Sequence, residues 1–456
     1  MAISLRLYLN MNQFNASLWG DEGFSAILSM KSIPQIIKII ATDTSPPLYN
    51  LTEHIAFRIF GTEEIVIRGL SFFYYLLTCF FIFLITKLIW DKKTALLATA
   101  LTFFNPFFFI YAFEGRMYSI MALGVAASFY FFLKLLVLSK TKIKKPWKYI
   151  AGLTLGLDWA LYSHHFAIFA VFVLGFWFVI EILKRNWKFA KWTLISFIAA
   201  AILYSPWLVP LYNQTKMVGG GFWLGTPTLT DLRTLIYEYL ATGIKYQNLQ
   251  QYALYLVLLT LAIRKWHKNM HKNLILLTWF LGPIFMAWIV SQAFQSVFYN
   301  RYLLYTIPGA MILLSSNRRK IISIVFIAII LGLFVRIDWH YFNNPTKLPF
   351  QDLAAYVKET RRGDDFLINW DAGSHHLWET KYYKIPAPIY IGQEGGELPF
   401  FVGTALMEEE DIIRTLPDAN RIGVVTSGNV EEVVLPGYTK KEVKAFGNLK
   451  FIWLSQ

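Results

Sequence analysis

The length, composition and charge of the chain together exclude a soluble, a disordered and a disulfide-linked protein. Its 456 residues are 56% hydrophobic, 18% aromatic and only 16% charged, whereas about 25% charged residues is usual in soluble domains. The lone cysteine, Cys79, cannot form a disulfide framework. The formal charge of +14 resides mostly in short loops between apolar segments, which argues against a nucleic-acid-binding face. The composition therefore predicts a membrane protein.

The first element in chain order is a predicted extracytoplasmic segment, residues 1–64. It holds two amphipathic helices, Ile33–Ile40 and Leu48–Phe60, which can lie in the membrane interface, and a turn at Pro46 and Pro47 between them. The polar start of this segment cannot cross a bilayer cheaply and lacks the apolar core of a signal peptide. Either the chain inserts with its start outside the cell, or a first membrane helix lies upstream; the second alternative is favoured.

Residues 65–337 form a predicted transmembrane domain of about ten spans. The apolar segments are Ile65–Ile89, Thr94–Ala112, Met117–Leu138, Tyr149–His164, Phe166–Leu183, Phe189–Tyr212, Leu249–Ile263, Asn273–Phe294, Tyr302–Ser315 and Ile321–Ile337. Every second loop between them is rich in Lys and Arg, and such loops stay in the cytoplasm. The other loops and both terminal segments are therefore expected to face outward from the cell membrane.

The last predicted element, residues 338–456, is a small extracytoplasmic α/β domain. Its sequence turns polar and predicts helices over Phe350–Thr360 and Ser374–Lys381 and strands over Asp365–Trp370 and Ile422–Thr426. The predicted fold class is thus an α-helical, multi-pass membrane protein with a small C-terminal α/β domain.

Ionisable residues at the outer ends of the spans are the candidate site, because charge near hydrocarbon is costly unless it is paired or used. They are Asp21 and Glu22 in LWGDEGFS, Glu114, Arg116 and Tyr118 in EGRMYS, His164 and His165 in YSHHF, and Arg301 and Tyr302 in YNRYLLY. Each could instead have a purely structural role: the acidic pair could stabilise a helix N-terminus, and the others could form an ion pair or an interfacial anchor. Their placement on one predicted side of the membrane indicates a shared extracytoplasmic pocket.

Such a pocket suits sugar transfer from a polyprenyl phosphate, whose lipid tail stays in the bilayer. One carboxylate would take the proton of an acceptor hydroxyl during direct displacement at the anomeric carbon. An arginine or a metal ion would stabilise the departing phosphate. The metal ligands are not defined by the sequence, and the cofactor remains open, with a divalent cation as one alternative.

The order of these motifs resembles that of the GT-C membrane glycosyltransferases, particularly the protein O-mannosyltransferases and the aminoarabinose transferase of lipid A. The motifs are LWGDEGFS, TSPPLYNLTEHIAFRIFG, RGLSFFYYLL, FEGRMYSIMAL, YSHHFAIF and RYLLYTIPG, over Leu18 to Ser315. The resemblance implies a cell-envelope enzyme that moves a hexosyl or pentosyl group from a polyprenyl-phosphate carrier to a hydroxyl on a lipid, glycan or protein. Transfer would occur on the extracytoplasmic side, with inversion.

The resemblance also implies roles for individual residues. Asp21 matches the base and Glu22 its neighbour. The residues matched to substrate binding are Pro46, Pro47, Glu114, Arg116, Tyr118, His164, His165, Arg301 and Tyr302, with Arg301 on the phosphate side. Three departures from the family pattern stand out: the first span is absent, Ser45 replaces a His before the two prolines, and the C-terminal domain carries no assignable motif.

Two other functions compete with this interpretation. An oligosaccharyltransferase-like enzyme would be expected to carry a Trp-Trp-Asp-Tyr-Gly type motif, which the outer domain lacks. A non-enzymatic transporter or lipid-binding assembly protein would more typically show two related halves, and none are evident. The expected partners are a polyprenyl-phosphate sugar, a hydroxyl-bearing acceptor and membrane lipids, but no nucleic acid.

Overall fold

A computed structural model describes residues 11–141, 146–243, 247–264, 266–267, 269–316, 321–370, 375–393 and 395–456. These residues fall into two compact units, which are treated separately below. The terminal unit comprises the described residues of Met1–Asp43, Asn50–Ile67 and Asn343–Gln456, and the helical unit comprises those of Thr44–Tyr49 and Arg68–Phe342.

The helical unit is built almost entirely from apolar helices. They are α4 (Glu64–Ile89, whose first residues belong to the terminal unit), α5 (Lys92–Phe103), α6 (Pro106–Ile110), α7 (Tyr118–Ser139), α8 (Trp147–Ser163), α9 (Ala167–Leu183), α10 (Trp187–Tyr204), α11 (Leu208–Gly219), α12 (Leu229–Tyr237), α13 (Gln247–Ala262), α14 (Met270–Ala293), α15 (Ile307–Ser315) and α16 (Ile321–Asn343). Each of the ten predicted apolar segments contains helix.

Several of these helices are long enough to cross a bilayer. Within the described ranges, five meet the requirements of length and hydropathy: Glu64–Ile89, Tyr118–Ser139, Trp187–Gly219, Met270–Ala293 and Ile321–Asn343. A sixth span is possible if Lys92–Phe103 and Pro106–Phe113 cross as one broken helix. Shorter apolar helices, Ala167–Leu183 and Leu304–Ser315, accompany them. The chain is therefore a multi-pass membrane protein, while the count of ten crossings stays a prediction.

The predicted single segment Thr94–Ala112 is bent by 59° between two helices. Asn105 caps the second helix, since its side chain accepts a hydrogen bond from the Phe108 N–H at 3.0 Å. Pro106, at the first position of that helix, has no N–H to continue the preceding one. The Asn105 amide also donates to the Tyr239 carbonyl at 2.9 Å. The break is thus encoded by an Asn-Pro pair.

Helices α7 and α8 pack with their backbones very close together at two glycines. A Cβ atom added to Gly124 would meet the Ala160 backbone nitrogen at 2.5 Å, and one added to Gly156 would meet the Ser128 hydroxyl at 2.9 Å. Small residues let membrane helices approach in this way. Among the five long apolar helices, α7 is the most buried, so this pair lies at the centre of the unit.

The C-terminal part of the terminal unit is a mixed sheet accompanied by helices, which confirms the small α/β region predicted there. The sheet has the order β3-β2-β1-β4-β6-β5. Its elements are α17 (Phe350–Thr360), β1 (Phe366–Trp370), α18 (His375–Tyr382), β2 (Ile389–Tyr390), β3 (Ile412–Ile413), β4 (Arg421–Thr426), β5 (Thr439–Phe446) and β6 (Leu449–Ser455). Strands β3, β2, β1 and β4 are parallel, and β6 is antiparallel to β4 and β5.

Most predicted boundaries in this region agree with the structure to within a residue. The helix Phe350–Thr360 has the predicted limits, strand β1 begins one residue later than predicted, and β4 begins one residue earlier. Helix α18 ends at Tyr382, whereas its predicted first residue, Ser374, lies outside the described residues. Buried residues on the two faces of the sheet, such as Leu367 and Ile368, belong to two separate apolar clusters.

The terminal unit also contains α1 (Gly20–Ser29), α2 (Ile33–Ile40) and α3 (Leu48–Phe60, from Asn50 onward). Helix α1 packs on α18, where a Cβ atom added to Gly23 would meet the backbone carbonyl of Trp378 at 2.9 Å. The rings of Phe24 and Trp378 form an edge contact at 5.3 Å. The N-terminal segment and the α/β domain are thus joined within one compact unit.

Candidate active site

The predicted acidic pair lies in the first turn of α1. Trp19 is the extended residue before this helix, and its N–H donates a hydrogen bond to the Glu22 carboxylate at 3.3 Å. Acidic residues are favoured here by the free N–H groups and the helix dipole. The carboxylate of Glu22 is fully buried, whereas Asp21 is half-buried. Of the two acids, Asp21 is the one with access to an external molecule.

A lysine that the sequence did not single out pairs with Glu22. Lys347 Nζ donates to Glu22 Oε2 at 2.8 Å, and the lysine side chain is only 15% exposed. The two residues are 325 positions apart in the chain, so no sequence spacing connects them. A buried charge needs such a partner, and Glu22 therefore has a structural role in holding the start of α1.

A third carboxyl, Glu379 on α18, lies beside the acidic pair. Its side chain is 2% exposed, and its Oε2 makes no hydrogen bond with the described residues. Burial raises the pKa of Glu379 well above the usual range, and the charges of Glu22 and Asp21 raise it further, against the opposing charge of Lys347. The surroundings of Glu379 therefore favour its protonated form more than water does. The sequence indicated a helix here but no role for this residue.

In the helical unit, the structure brings together several other predicted site residues. Arg301 Nη1 lies 3.9 Å from Glu114 Oε1. The Arg301 guanidinium also lies over the rings of Tyr118 and Tyr299, at 5.7 and 5.0 Å from their centroids. Cation–π contacts of this kind hold a guanidinium without neutralising its charge. Tyr299 is an addition to the residues that the sequence indicated.

Aromatic rings extend this cluster from Arg301 to the corner between α8 and α9. The ring of Tyr302 lies 5.0 Å from that of His164 and 4.9 Å from that of Phe166. Tyr118 lies 6.2 Å from His164. Arg116 is close enough for its charge to act on His164. Together with the preceding residues, these side chains define the Arg301 cluster: Glu114, Arg116, Tyr118, His164, Tyr299, Arg301 and Tyr302.

The second histidine of this corner contacts a different part of the helical unit. His165 Nε2 lies 2.7 Å from the side-chain oxygen of Gln214, and the Gln214 amide donates to the Ser45 carbonyl at 3.2 Å. Pro46 and Pro47, which follow, are buried. The backbone carbonyl of Ser45, which replaces the histidine of the resembling family, therefore accepts a hydrogen bond from Gln214. The sequence did not indicate Gln214.

The described residues offer no metal centre. Among them, no group of three or more His, Cys, Asp or Glu residues is arranged to hold a metal ion. The predicted meeting of the acids with Arg301 stays a prediction, since Asp21 and Glu22 belong to the terminal unit and Arg301 to the helical unit.

Part of the sequence matches a known family. Residues 44–209 match the family model described as dolichyl-phosphate-mannose-protein mannosyltransferase. This range holds Ser45 and the outer motifs around Arg116 and His164, but neither Asp21 nor Arg301. No curated protein matches the sequence.

Solved structures match the fold of nearly the whole chain. The apo structure of ArnT from Cupriavidus metallidurans is 11% identical, covers 99% of this chain and 96% of its own, and superposes with a TM-score of 0.65. The same protein bound to undecaprenyl phosphate is 13% identical, with equal coverage and a TM-score of 0.58.

An archaeal enzyme matches as well. The oligosaccharyltransferase of Archaeoglobus fulgidus, solved with zinc and sulfate, is 13% identical, with 93% of this chain and 67% of that one covered and a TM-score of 0.55. Identities this low establish the fold alone. The chain is thus a multi-pass membrane protein with the fold of the GT-C glycosyltransferases, which confirms the resemblance seen in its motifs.

Proposed function

We propose that the protein is an inverting glycosyltransferase that moves a sugar from a polyprenyl phosphate to an acceptor hydroxyl. The observation that carries this proposal is the GT-C fold over 99% of the chain, with ionisable groups at the ends of its helices. ArnT, which has this fold, has been solved with undecaprenyl phosphate. The family match over residues 44–209 points to the same class of donor. These findings do not favour a transporter or an assembly protein.

Arg301 is the proposed contact for the phosphate of the donor. Its planar guanidinium can donate two parallel hydrogen bonds to phosphate oxygens. Glu114, at 3.9 Å, and the rings of Tyr118 and Tyr299 fix its position without a close bidentate ion pair between Arg301 and Glu114. An arginine held in this way stabilises the charge that develops on the leaving phosphate.

Asp21 is the proposed general base. The acceptor oxygen forms a bond with the anomeric carbon while the bond from that carbon to the phosphate oxygen breaks. The acceptor proton passes to the Asp21 carboxylate, and polyprenyl phosphate leaves with the bonding electrons. Attack from the opposite face inverts the anomeric centre. Glu22 is less suited to this role, because its buried carboxylate is already paired with Lys347.

Three finer points belong to the proposal. The transferred group is a hexosyl or pentosyl unit, and the acceptor is a hydroxyl on a lipid, a glycan or a protein of the cell envelope. The reaction takes place on the extracytoplasmic side, as the alternation of basic loops predicts. The α/β domain would then lie on that side too.

The test is a transfer assay with the full chain in liposomes, a panel of polyprenyl-phosphate hexoses and pentoses as donors, and a hydroxyl-bearing lipid, glycan and peptide as acceptors. We expect release of polyprenyl phosphate from at least one donor. The Asp21→Asn variant should lose about 10²- to 10⁴-fold in turnover. The matched control is Asp364→Asn, at an exposed turn of the terminal unit. Undiminished turnover of Asp21→Asn would overturn the assignment of the base. Failure of the wild type to turn over any of the donors would overturn the proposed function.

A further inference from the structure

A cavity with a basic lining lies in the helical unit and shares no residue with the Arg301 cluster. Its volume is about 620 Å³, within the usual range for small-molecule sites. The polar side chains that line it include Lys140, Glu181, Lys184, Asn186, His271 and Lys272. No motif in the sequence drew attention to it, because the residues come from three separate parts of the chain: Lys140, Glu181 to Asn186, and Asn269 to Lys272.

The cavity and the Arg301 cluster lie at opposite ends of the same helices. Helix α7 begins at Tyr118, in the cluster, and is followed by Lys140, at the cavity. Its 22 residues span about 33 Å at 1.5 Å per residue, which matches the thickness of a bilayer core. Helix α9 likewise runs from the His165 corner to Lys184. The cavity is therefore located where the predicted topology places the cytoplasmic surface.

Cationic groups outnumber acidic ones in this lining. Glu181, the one carboxylate among the described lining residues, is buried and already engaged: Lys184 donates to it at 2.9 Å and the Asn186 amide at 3.0 Å. Lys272 donates to the Ile89 carbonyl at 2.5 Å. An ammonium group carries three donors, so these contacts leave both lysines able to bind an anion. Lys140 adds a third ammonium.

The surroundings of the cavity favour a lipid over a soluble anion. Three large apolar side chains are exposed here: Met270, in the lining, at 53%, and Leu183 and Trp187, next in the chain to lining residues, at 73% and 63%. In a membrane protein such side chains contact acyl chains, and lysines next to them sit at the level of the head groups. Basic pockets between membrane helices bind anionic head groups. A phosphate brought by a lipid would thus reach the lysines with its chains against these apolar residues.

We propose that this cavity binds the phosphate head group of an anionic membrane lipid. The site is separate from the proposed transfer reaction, since it lies at the other end of α7. Its test needs no turnover of any sugar donor, so its outcome and that of the transfer assay are independent.

The test measures binding of dioleoylphosphatidylglycerol to the purified full chain by native mass spectrometry, with dioleoylglycerol as the probe that lacks phosphate. We expect the wild type to retain phosphatidylglycerol but not dioleoylglycerol. The Lys140→Gln/Lys184→Gln variant should bind phosphatidylglycerol at least about tenfold more weakly, at about 1 kcal/mol for each lysine near an anionic lipid. The charge-matched control, Lys92→Gln/Lys191→Gln, alters exposed residues outside the cavity and should bind as the wild type does.

Two further arms complete the experiment. Glu181→Gln removes the acidic group found among the described lining residues and should tighten binding of phosphatidylglycerol. Inorganic phosphate at an equal concentration should leave the bound lipid in place. Equal affinity of the double variant and the wild type would overturn the proposal. Displacement by inorganic phosphate at that concentration would show a soluble anion site instead and would also overturn it.

Discussion

Lys347 donates a hydrogen bond of 2.8 Å to the fully buried carboxylate of Glu22. The lysine precedes the first helix of the α/β domain, and the glutamate lies in the first turn of α1. Because Asp21 directly precedes Glu22 on this turn, the ion pair sets the position of the proposed base. It ties the first turn of α1, which carries the proposed base, to a domain that has no recognisable motif of its own.

The first prediction concerns this ion pair. Lys347→Met leaves the Glu22 carboxylate buried without its cation, which typically costs about 3–5 kcal/mol. We expect a clear fall in thermal stability of the purified protein in detergent, measured by tryptophan fluorescence. Lys358→Met, at an exposed position on α17, serves as the control. The double variant Glu22→Gln/Lys347→Met should recover part of the loss, and a Lys347→Met protein as stable as the wild type would refute the structural role.

Glu379 gives a prediction about pH. The raised pKa in the folded state means that folded protein keeps a proton that unfolded protein loses above a pKa of about 4.3. The free energy of unfolding therefore falls progressively as the pH rises from about 4.3 toward the pKa of Glu379 in the folded protein. In Glu379→Gln this loss should be absent, so its melting temperature should fall less between pH 5 and 8. The exposed residue Glu359 on α17 provides the control, Glu359→Gln, and equal pH slopes in all three proteins would contradict the prediction.

A third prediction separates charge from geometry at Arg301. Arg301→Lys keeps the positive charge but loses the planar fork that binds a phosphate through two donors. We expect both Arg301→Lys and Arg301→Ala to reduce turnover of the polyprenyl-phosphate sugar, the latter by about 10²- to 10³-fold. Arg233→Lys, at an exposed position on α12, should retain activity. Full activity of Arg301→Ala would remove this residue from the phosphate site.

The contact between α1 and α18 leads to a fourth prediction. In Gly23→Ala, the new methyl group meets the Trp378 backbone at 2.9 Å, closer than carbon atoms pack. Overpacking of this kind costs about 1–3 kcal/mol, which outweighs the gain in helix propensity. Gly69→Ala is the matched control, because that glycine is also helical and has open space around it. We expect thermal unfolding to separate the two variants, and equal stability would show that the helices can move apart.

The apolar architecture could be predicted because hydropathy is a local property. Each predicted apolar segment contains helix, and the helix Phe350–Thr360 has its predicted limits. The break in Thr94–Ala112 escaped prediction, although Asn105 and Pro106 carry the signal for it. Averaging hydropathy over a window of about 19 residues hides two adjacent residues that cap and start a helix.

The site was predictable only in part, for a different reason. Glu114, Tyr118, His164, Arg301 and Tyr302 were identified as charged or aromatic residues at span ends, and the structure places them in one cluster. The contributions of Lys347 and Glu379 depend on the packing of distant segments. A lysine paired with a distant glutamate and a buried glutamate have no sequence pattern, since pairing and burial arise only when the chain has folded.

The tight contact of α7 with α8 has a mechanical consequence. Where Gly124 faces Ala160 no side chain separates the two backbones, so one helix cannot slide past the other without a steric clash. We therefore expect the pair to move as one body, and the rings of Tyr118 and His164, 6.2 Å apart at its end, to keep close to that spacing. A ligand bound at this end would then meet a preorganised surface formed by the two helix ends.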